Sequence, residues 1–369
     1  MSVWIVVGGQ YGSEGKGKVA ACIALRESID ICIRCGGPNS GHSFQNENGE
    51  MVLLRQIPTG FVRDKARLLI PAGALIDPPL LEAEIQHLKL DRFRVGVDRN
   101  AMIISTSDKN QERQLRMYER LSSTLCGVGA AVARRALRCS DVVLAADAAR
   151  SHHWLRPLIT DVAAEANSAI DQGKNVLVEG TQGTGLSLYH SEHYPKTTSR
   201  DTTASGFISE VGLSPRAVDE IVLVLRTFPI RVAGSQAGPI RDETSWEQLQ
   251  HDSGSPVPLH EYTTVTGRLR RVGRFEWEHC AISGRLNRPT RLAINFLDYI
   301  DYHNRTATSF AELTERTRDF VQRVQDCVGV PACYLGVGPK LNETLDATKH
   351  GSVNLREHLP EASYNSYAD

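Results

Sequence analysis

The sequence contains no apolar run near the ~20 residues that a membrane-spanning helix needs. It carries almost no net charge, −1 over 369 residues, whereas a general nucleic-acid-binding protein is usually markedly basic. The N-terminus also lacks a basic region followed by an apolar signal core, so we expect a cytosolic protein. These absences exclude the membrane and nucleic acid as expected partners.

Internal repeats, low-complexity segments and a Pro/Gly/Ser-rich linker are absent too, so the sequence marks no domain boundary. The length suits one large α/β domain or two ordinary ones, and we expect the polar tail from about Ser363 to fray. The eight cysteines are scattered. Cys32 and Cys35 form a Cys-x-x-Cys pair without the second pair of a zinc site, so reduced thiols are the simplest account.

Short β-branched runs alternate with longer amphipathic stretches. Continuous apolar runs of this kind are typical of a mostly parallel sheet that is buried on both faces, which predicts an α/β fold. The clearest predicted helix is Thr314–Val328, because Phe320, Val324 and Val328 lie on one face among charged residues. The predicted strands are Val3–Val7, Ile31–Ile33, Leu68–Ile70, Asn175–Val178, Ile221–Leu225, Arg291–Phe296 and Ala332–Gly336.

A glycine-rich loop with two lysines, GGQYGSEGKGK over residues 8–18, directly follows the first predicted strand. Glycines let backbone N–H groups close on phosphate oxygens, and lysines add positive charge. The spacing Gly12-x-x-x-x-Gly17-Lys18 fits the first seven positions of a P-loop, but Val19 stands where Ser or Thr would hold Mg²⁺. The loop therefore predicts a phosphate site unlike that of ordinary P-loop NTPases; a flexible surface turn is the alternative interpretation.

Four further loops rich in glycine or threonine occur along the chain, and several directly follow predicted strands, where ligands bind in α/β sheets. They are GGPNSGHS at 36–43, EGTQGTG at 179–185, TTSRDTTASG at 197–206 and TVTGRLRR at 264–271. Together they carry more Arg, His, Gln and Asn than one phosphate needs. We therefore expect several anionic ligands in one cleft.

In their order and spacing these segments closely resemble the adenylosuccinate synthetase family over nearly the whole chain. IPTG at 57–60, NFLD at 295–298 and the pair Gly338-Pro339 extend the match. The resemblance implies a single α/β domain over residues 1–369, related to P-loop NTPases and active as a homodimer. It also implies a carbon–nitrogen ligase that joins IMP to L-aspartate at the expense of GTP, with Mg²⁺ as cofactor.

Ser13 is the departure from the family pattern that carries the substrate prediction. The family has an aspartate there, which removes the purine N1 proton and binds Mg²⁺. A serine hydroxyl is no base at neutral pH, and losing a positioned base typically costs about 10²–10⁴-fold in rate. Serine also leaves room for the C2 amino group of guanine. The chain thus resembles the PurZ branch of phages with 2-aminoadenine DNA, which converts dGMP and aspartate to N6-succino-2-amino-2′-deoxyadenylate; host cytoplasm is then the expected location.

The segment expected to face the base of the phosphate donor also departs from the family pattern. The family reads the guanine of GTP with a lysine-containing motif that ends in aspartate, TKLD, where this chain has NFLD. The family's Ser-Thr-Gly-Pro becomes Gly336-Val337-Gly338-Pro339, which removes a hydroxyl. Because base selection depends on paired donors and acceptors, these losses indicate ATP or dATP as the phosphate donor.

The resemblance also implies roles for single residues. Four are catalytic: Ser13, Lys16, His42 as general acid, and Gln182. The phosphates of the donor are held by Gly12, Gly15, Lys16, Gly17 and Lys18, and Mg²⁺ by Ser13 and the Gly41 carbonyl. The acceptor nucleotide is held by Ser13, Asn39, Thr124, Gln182, Thr203 and Arg268, with Arg134 reaching its 5′-phosphate from the partner subunit. The aspartate substrate is bound by Thr266, Arg268 and Arg270, and the donor base by Asn295, Asp298, Gly336 and Gly338.

Three functions stay open at this point. The first is a ligase for dGMP, the second an ordinary IMP- and GTP-using synthetase that tolerates Ser13, and the third a nucleotide-binding regulator without catalysis. Lys16, His42 and the arginine loop speak against the regulator. The group that takes the N1 proton is also open, with Glu14 and a substrate phosphate as candidates, and dGMP is preferred over GMP on the resemblance alone.

Overall fold

A computed structural model describes residues 2–263 and 267–347. The strands are β1 (Val3–Gly8), β2 (Ile31–Arg34), β3 (His42–Gln45), β4 (Met51–Leu54), β5 (Arg67–Ile70), β6 (Leu75–Ile76), β7 (Val95–Asp98), β8 (Met102–Ile103), β9 (Ile159–Thr160), β10 (Val176–Glu179), β11 (Glu220–Arg226), β12 (Ile230–Arg231), β13 (Glu243–Thr244), β14 (Arg271–Gly273), β15 (Arg291–Asn295), β16 (Ala332–Gly336) and β17 (Thr344–Asp346). The α-helices are α1 (Lys16–Arg26), α2 (Pro78–His87), α3 (Thr106–Gln114), α4 (Met117–Leu121), α5 (Val128–Ala136), α6 (Ala145–Ala148), α7 (Val162–Asp171), α8 (Ala204–Val211), α9 (Trp246–Ser253), α10 (Trp277–Asn287) and α11 (Glu315–Val328).

Ten strands form the central sheet, in the order β17-β16-β15-β11-β1-β10-β2-β5-β7-β9. Neighbouring strands run parallel, except that β17 runs antiparallel to β16. β1 lies in the middle, where Ile5 is opposite both Val178 and Ile221. The predicted α/β fold with a mostly parallel sheet is confirmed, and each predicted strand lies in this sheet.

Helices cover both faces of the sheet, which explains why its central strands are continuously apolar. Ile5 and Val7 pack into a buried cluster with α7, α8, α10 and α11. Trp4 and Val6 point to the opposite face, where the buried cluster includes residues of α1, α2 and α6. The predicted helix at the C-terminal end is confirmed as α11, with Val324 buried against the first cluster.

Smaller elements surround this core. β3 and β4 form an antiparallel hairpin, β6 pairs with β8, and β12, β14 and β13 form an antiparallel three-stranded sheet. No helix within the two described ranges is both long and apolar enough to cross a membrane. Thr266 and the tail from Ser363 lie outside the described residues.

Candidate active site

The polar loops meet at the carboxyl edge of the central sheet, where the ends of neighbouring parallel strands converge. Five adjacent strands end there, at Gly8, Arg34, Glu179, Arg226 and Asn295. A cavity of about 400 Å³, the central cavity, opens among their loops. Its lining includes the sequence-predicted residues Gly12, Ser13, Gly15, Lys16, Gly17, Asn39, Gly41, His42, Thr124, Gln182 and Arg270.

The loop from β1 into α1 has the backbone geometry of a phosphate cradle. Gly12 and Gly15 adopt left-handed φ angles of 89° and 88°, which glycine reaches without steric cost. Ser13 lies in the same region at φ 58°, which is strained for a residue with a Cβ atom. Gly15 caps the N-terminus of α1, an end whose N–H groups and dipole favour bound anions.

Glu14 is fully buried and shapes this loop rather than facing the cavity. Its carboxylate accepts hydrogen bonds from the backbone N–H groups of Gln10 (3.1 Å) and Gly12 (2.8 Å). The same carboxylate lies 2.5 Å from Nζ of Lys16, which it holds at the cavity wall. Glu14 is therefore a poor candidate for taking a proton from a ligand, contrary to the sequence interpretation.

His42 begins β3 and has one ring nitrogen held and one free. Nδ1 contacts the carboxylate of Glu179 and lies 2.7 Å from Nη1 of Arg34. Glu179 also accepts from the N–H (2.7 Å) and hydroxyl (2.9 Å) of Thr59. Nε2 of His42 is buried and has no hydrogen-bonding partner within the described residues. This nitrogen is thus left for a ligand.

The electrostatics keep His42 neutral and Glu179 charged. Burial and the neighbouring Arg34 lower the pKa of His42 to about 4. Burial alone would raise the pKa of Glu179, but Arg34, His42 and Thr59 hold it below its usual value. A neutral imidazole that donates from Nδ1 presents a lone pair at Nε2, so the predicted general-acid role needs an anionic phosphoryl group to raise its pKa.

Ser13 is held at both its side chain and its backbone. Its hydroxyl accepts a hydrogen bond from Nη1 of Arg270 at 2.5 Å, and its carbonyl accepts one from Nη1 of Arg226 at 3.0 Å. Arg226 is fully buried and forms an ion pair with Glu261. Burial alone would raise the pKa of Glu261, but Arg226 and Arg270 hold it below its usual value.

A second cavity of about 570 Å³, the side cavity, adjoins the first across Gly15. Besides Gly15, its lining includes four residues expected at the donor nucleotide, namely Lys18, Asn295, Asp298 and Gly338. Nδ2 of Asn295 donates to the Glu14 carbonyl (2.7 Å), and its buried Oδ1 has no partner in the described part of the chain. Burial raises the pKa of Asp298 to about 6 despite the nearby cations Arg305 and Lys18.

Gly336, at the end of β16, lies against the ends of two polar side chains. A Cβ atom there would lie 2.2 Å from Oδ1 of Asn295 and 2.8 Å from Nζ of Lys18. Lys18 is itself held by a 2.6 Å hydrogen bond to the Gly338 carbonyl. The serine of the family pattern would therefore require the Asn295 side chain to shift, which links the departures at positions 295 and 336.

Among the described residues, three that were predicted to bind the acceptor nucleotide or aspartate do not line the central cavity. Thr203 caps α8 and donates to Asp201 at 2.5 Å. Arg268 is exposed and lies over the ring of Tyr118, 4.7 Å from its centroid. Arg134 donates to both carboxylate oxygens of Asp108, at 3.0 and 2.8 Å. Their roles stay proposals that depend on ligand binding or on a second subunit.

Sequence reasoning missed the charged residues that end the buried strands. Arg34, Glu179 and Arg226 are each almost or fully buried, and none was assigned a role. A signal was present, because each follows an apolar run directly and stands at the carboxyl end of a predicted strand. Glu261 carried no comparable signal, since it lies in an irregular segment.

The profile of the adenylosuccinate synthetase family matches residues 5–149 and 141–307. The adenylosuccinate synthetase of Thermococcus sibiricus is 41% identical over 350 residues, covering 94% of this chain and 98% of the relative. That of Thermococcus onnurineus is 42% identical with the same coverage. The chain belongs to the adenylosuccinate synthetase family. It is therefore a carbon–nitrogen ligase for aspartate, a purine nucleotide and a nucleoside triphosphate.

Two solved structures share this fold. Fully ligated adenylosuccinate synthetase from Plasmodium falciparum superposes with a TM-score of 0.82 at 20% identity, covering 94% of this chain and all of that one. Succinoaminodeoxyadenylate synthetase (PurZ) of cyanophage S-2L, bound to dGMP and to dATP as an energy donor, has a TM-score of 0.78 at 26% identity. That comparison covers 94% of this chain and 95% of the phage protein.

The adenylosuccinate synthetase family uses Mg²⁺, and the central cavity offers it only weak protein ligands. No group of three or more His, Cys, Asp or Glu side chains in residues 2–263 and 267–347 could hold a metal ion. Ser13, Gly41 and Glu261 line the cavity with oxygen atoms, but the Ser13 hydroxyl is engaged by Arg270 and the Glu261 carboxylate by Arg226. Mg²⁺ commonly binds through substrate phosphates and waters, so this site fits an ion held mainly by phosphates.

Proposed function

We propose that this ligase joins L-aspartate to C6 of dGMP, giving N6-succino-2-amino-2′-deoxyadenylate. The observation that carries the proposal is Ser13, which stands at the wall of the central cavity where the family has an aspartate. Its short side chain leaves space for a C2 amino group, and Arg270 holds its hydroxyl at a fixed point. A guanine base fits that space, whereas an aspartate there would crowd it.

In the proposed reaction the guanine O6 attacks the γ-phosphorus of the donor. The O6–P bond forms as the bond to the nucleoside diphosphate breaks and the N1 proton passes to a substrate phosphate. The aspartate amine then bonds to C6, phosphate leaves with O6, and the departing phosphate takes the proton that the amine nitrogen gives up. Lys16 and the backbone of the loop at 12–17 would hold the phosphoryl group, with Nε2 of His42 aimed at it. Such transfers depend mainly on positioning and charge neutralisation. Bound Mg²⁺ would add further charge neutralisation.

The second candidate is the ordinary reaction of IMP, aspartate and GTP. Sequence similarity favours it, because the archaeal relatives at 41% and 42% identity bear the name adenylosuccinate synthetase. The phage PurZ structure with dGMP is less similar, at 26% identity. The comparisons thus support IMP more directly, and the case for dGMP depends on Ser13.

For the phosphate donor we propose ATP or dATP in the side cavity. Support comes from the segment Asn295–Asp298, which has no lysine, and from Gly336, which supplies no hydroxyl. Steady-state rates with ATP, dATP and GTP as sole donors test this proposal. We expect higher kcat/KM with the adenine nucleotides, and strict dependence on GTP would refute it.

To test the acceptor, the protein is incubated with aspartate, Mg²⁺ and ATP, and with dGMP, GMP or IMP as the acceptor nucleotide. Incorporation of aspartate is measured, and parallel reactions contain GTP in place of ATP. Turnover of dGMP with little turnover of IMP supports the proposal. Preference for IMP identifies the ordinary synthetase. Equal kcat/KM with dGMP and GMP contradicts the proposed preference for deoxyribose. No turnover with intact nucleotide binding would favour a regulator.

A further inference from the structure

The central cavity and the side cavity share a wall. Five residues line both spaces, namely Gly15, Ser43, Met51, Glu261 and Phe296. Arg226, the last residue of β11, contacts this wall and is fully buried. Neither the family pattern nor the proposed reaction gives Arg226 or Glu261 a task.

The guanidinium of Arg226 binds three separate groups. Nη1 donates to the Ser13 carbonyl at 3.0 Å and to Oε2 of Glu261 at 3.2 Å. Nη2 donates to Oε1 of Glu261, so the guanidinium binds the carboxylate in a bidentate manner. The plane lies over the ring of Phe296, 4.0 Å from its centroid. One planar cation thus joins the phosphate loop, the shared wall and the segment that follows β15.

Glu261 makes this arrangement possible. A buried arginine without a carboxylate partner leaves an uncompensated charge, so Glu261 fixes where the guanidinium lies. The fork of arginine can reach a carboxylate and a carbonyl together, which the single ammonium of lysine does not match. Glu261 also accepts, at its backbone carbonyl, the N–H of Arg270 (2.8 Å), whose side chain binds the Ser13 hydroxyl.

Ser13 needs such support because its φ of 58° is unfavourable for a non-glycine residue. The strained peptide determines where its hydroxyl points, and with it the shape of the cavity at the base. We propose that Arg226, locked by Glu261, is the positioning residue that fixes Ser13 and so sets which purine the enzyme accepts. This inference rests on the proposed role of Ser13 in reading the base.

The test compares Arg226→Lys and Glu261→Gln with the wild-type protein. Glu243→Gln is the matched control, since Glu243 forms a two-point ion pair with Arg271 (2.7 and 2.5 Å), next to Arg270, but lines neither cavity. The readout is the ratio of kcat/KM for dGMP to kcat/KM for IMP. General damage to the fold lowers both values by the same factor and leaves this ratio unchanged. We expect Arg226→Lys and Glu261→Gln to reduce this ratio about tenfold, equivalent to about 1.4 kcal/mol, with the control unchanged.

The outcomes separate the two proposals. If the wild-type enzyme does not prefer dGMP over IMP, the proposed role of Ser13 in selecting guanine is refuted. A wild-type preference that survives in both variants, with both efficiencies lowered by one factor, overturns the positioning role alone. Thermal melting shows whether the variants fold, and Glu261→Asp serves if they do not. Glu261→Asp keeps the charge but moves the carboxylate away from Arg226. We expect its dGMP-to-IMP ratio to lie between those of the wild type and Glu261→Gln, and a ratio equal to that of the wild type would count against the proposal.

Discussion

At the scale of single residues, the polar side chains that end the central strands fix the loops around the cavities. Glu179, itself paired with Arg34, holds Nδ1 of His42. Arg226 holds the Ser13 carbonyl, and Asn295 holds the Glu14 carbonyl. Each is the last residue of its strand, so its backbone is fixed by the sheet. Rigid elements position functional groups more accurately than loops do, which explains why these contacts lie there.

Ser13→Asp is expected to reverse the acceptor preference. An aspartate would pair with Arg270, now 2.5 Å from the serine hydroxyl, and would occupy the space proposed for the C2 amino group. We expect kcat/KM for dGMP to fall by about 10²-fold and that for IMP to rise, as a positioned base returns. Ser13→Ala is the control, because it keeps the space and should retain more dGMP turnover. Unchanged dGMP turnover in Ser13→Asp would show that the steric argument is wrong.

His42 makes stability depend on pH. Its pKa of about 4 in the folded protein lies below the usual 6.5, because burial and Arg34 oppose the charged ring. The unfolded chain therefore binds more protons between these values, so stability falls as pH drops through that window. From pH 7.5 to 5 we expect His42 to account for a loss of about 2 kcal/mol.

Urea unfolding of wild type and His42→Asn at both pH values measures this contribution. The asparagine cannot take up a proton, so the free energy of unfolding should fall less on acidification in the variant. Equal losses in the two proteins would mean that His42 is not buried as a neutral ring. Titrating groups away from His42 affect both proteins alike and cancel, and Glu179, whose pKa His42 helps to lower, is the exception.

At the scale of elements, the contact between α1 and β3 sets the distance from the phosphate loop to His42. Gly17 lies in the first turn of α1, and a Cβ atom there would be 2.6 Å from Cβ of His42 and 3.1 Å from Cγ2 of Thr59. The helix can lie this close to the strand only because that residue has no side chain. The glycine therefore serves packing as well as access to phosphate.

Gly17→Ala tests this contact. In an open helix position the change would stabilise the fold by about 1 kcal/mol, but here we expect a loss of about 1–3 kcal/mol from overpacking, with a lower kcat. Gly129→Ala in α5 is the control, since its Cβ would come no closer than 3.3 Å to a neighbouring atom, the end of the Glu112 side chain. Thermal melts and steady-state rates measure both effects. A Gly17→Ala enzyme as stable and active as wild type would contradict the packing argument.

At the scale of the whole molecule, one site combines loops from all three thirds of the chain. Ser13 meets Arg226 and Arg270, and Lys18 meets Gly338. The proposed homodimer would add Arg134 of a second subunit. Within one chain that guanidinium is bound to Asp108 and Asp141, so reaching a neighbouring site would require exchanging these partners for a phosphate.

Mixing two inactive variants tests whether Arg134 acts across subunits. In a mixed dimer of Arg134→Ala and His42→Asn, one site receives an intact His42 from its own chain and an intact Arg134 from the other. We expect activity to return to about a quarter of wild type after co-expression, since random pairing makes half of the dimers mixed. If both parents are inactive and no activity returns, Arg134 acts within its own chain.

The sequence by itself determined the main strands of the central sheet, the last helix and a large part of the cavity lining. β-branched runs such as Val3–Val7 predict buried strands, and the glycine spacing at 12–17 predicts the cradle, because backbone geometry and burial act locally. Residues such as His42 and Gln182 could be placed at one edge because parallel strands end together. The order of motifs then identified the family.

Only the tertiary structure decided how the charges pair. Glu14, a candidate base by sequence, is buried against Lys16, whereas Glu261, without a signal in the sequence, locks Arg226 beneath Ser13. These partners are separated by 2 and 35 residues, and the same residue types at the surface would be solvated. Which carboxylate faces a ligand and which one shapes a loop depends on burial and distance, which only the packed chain sets.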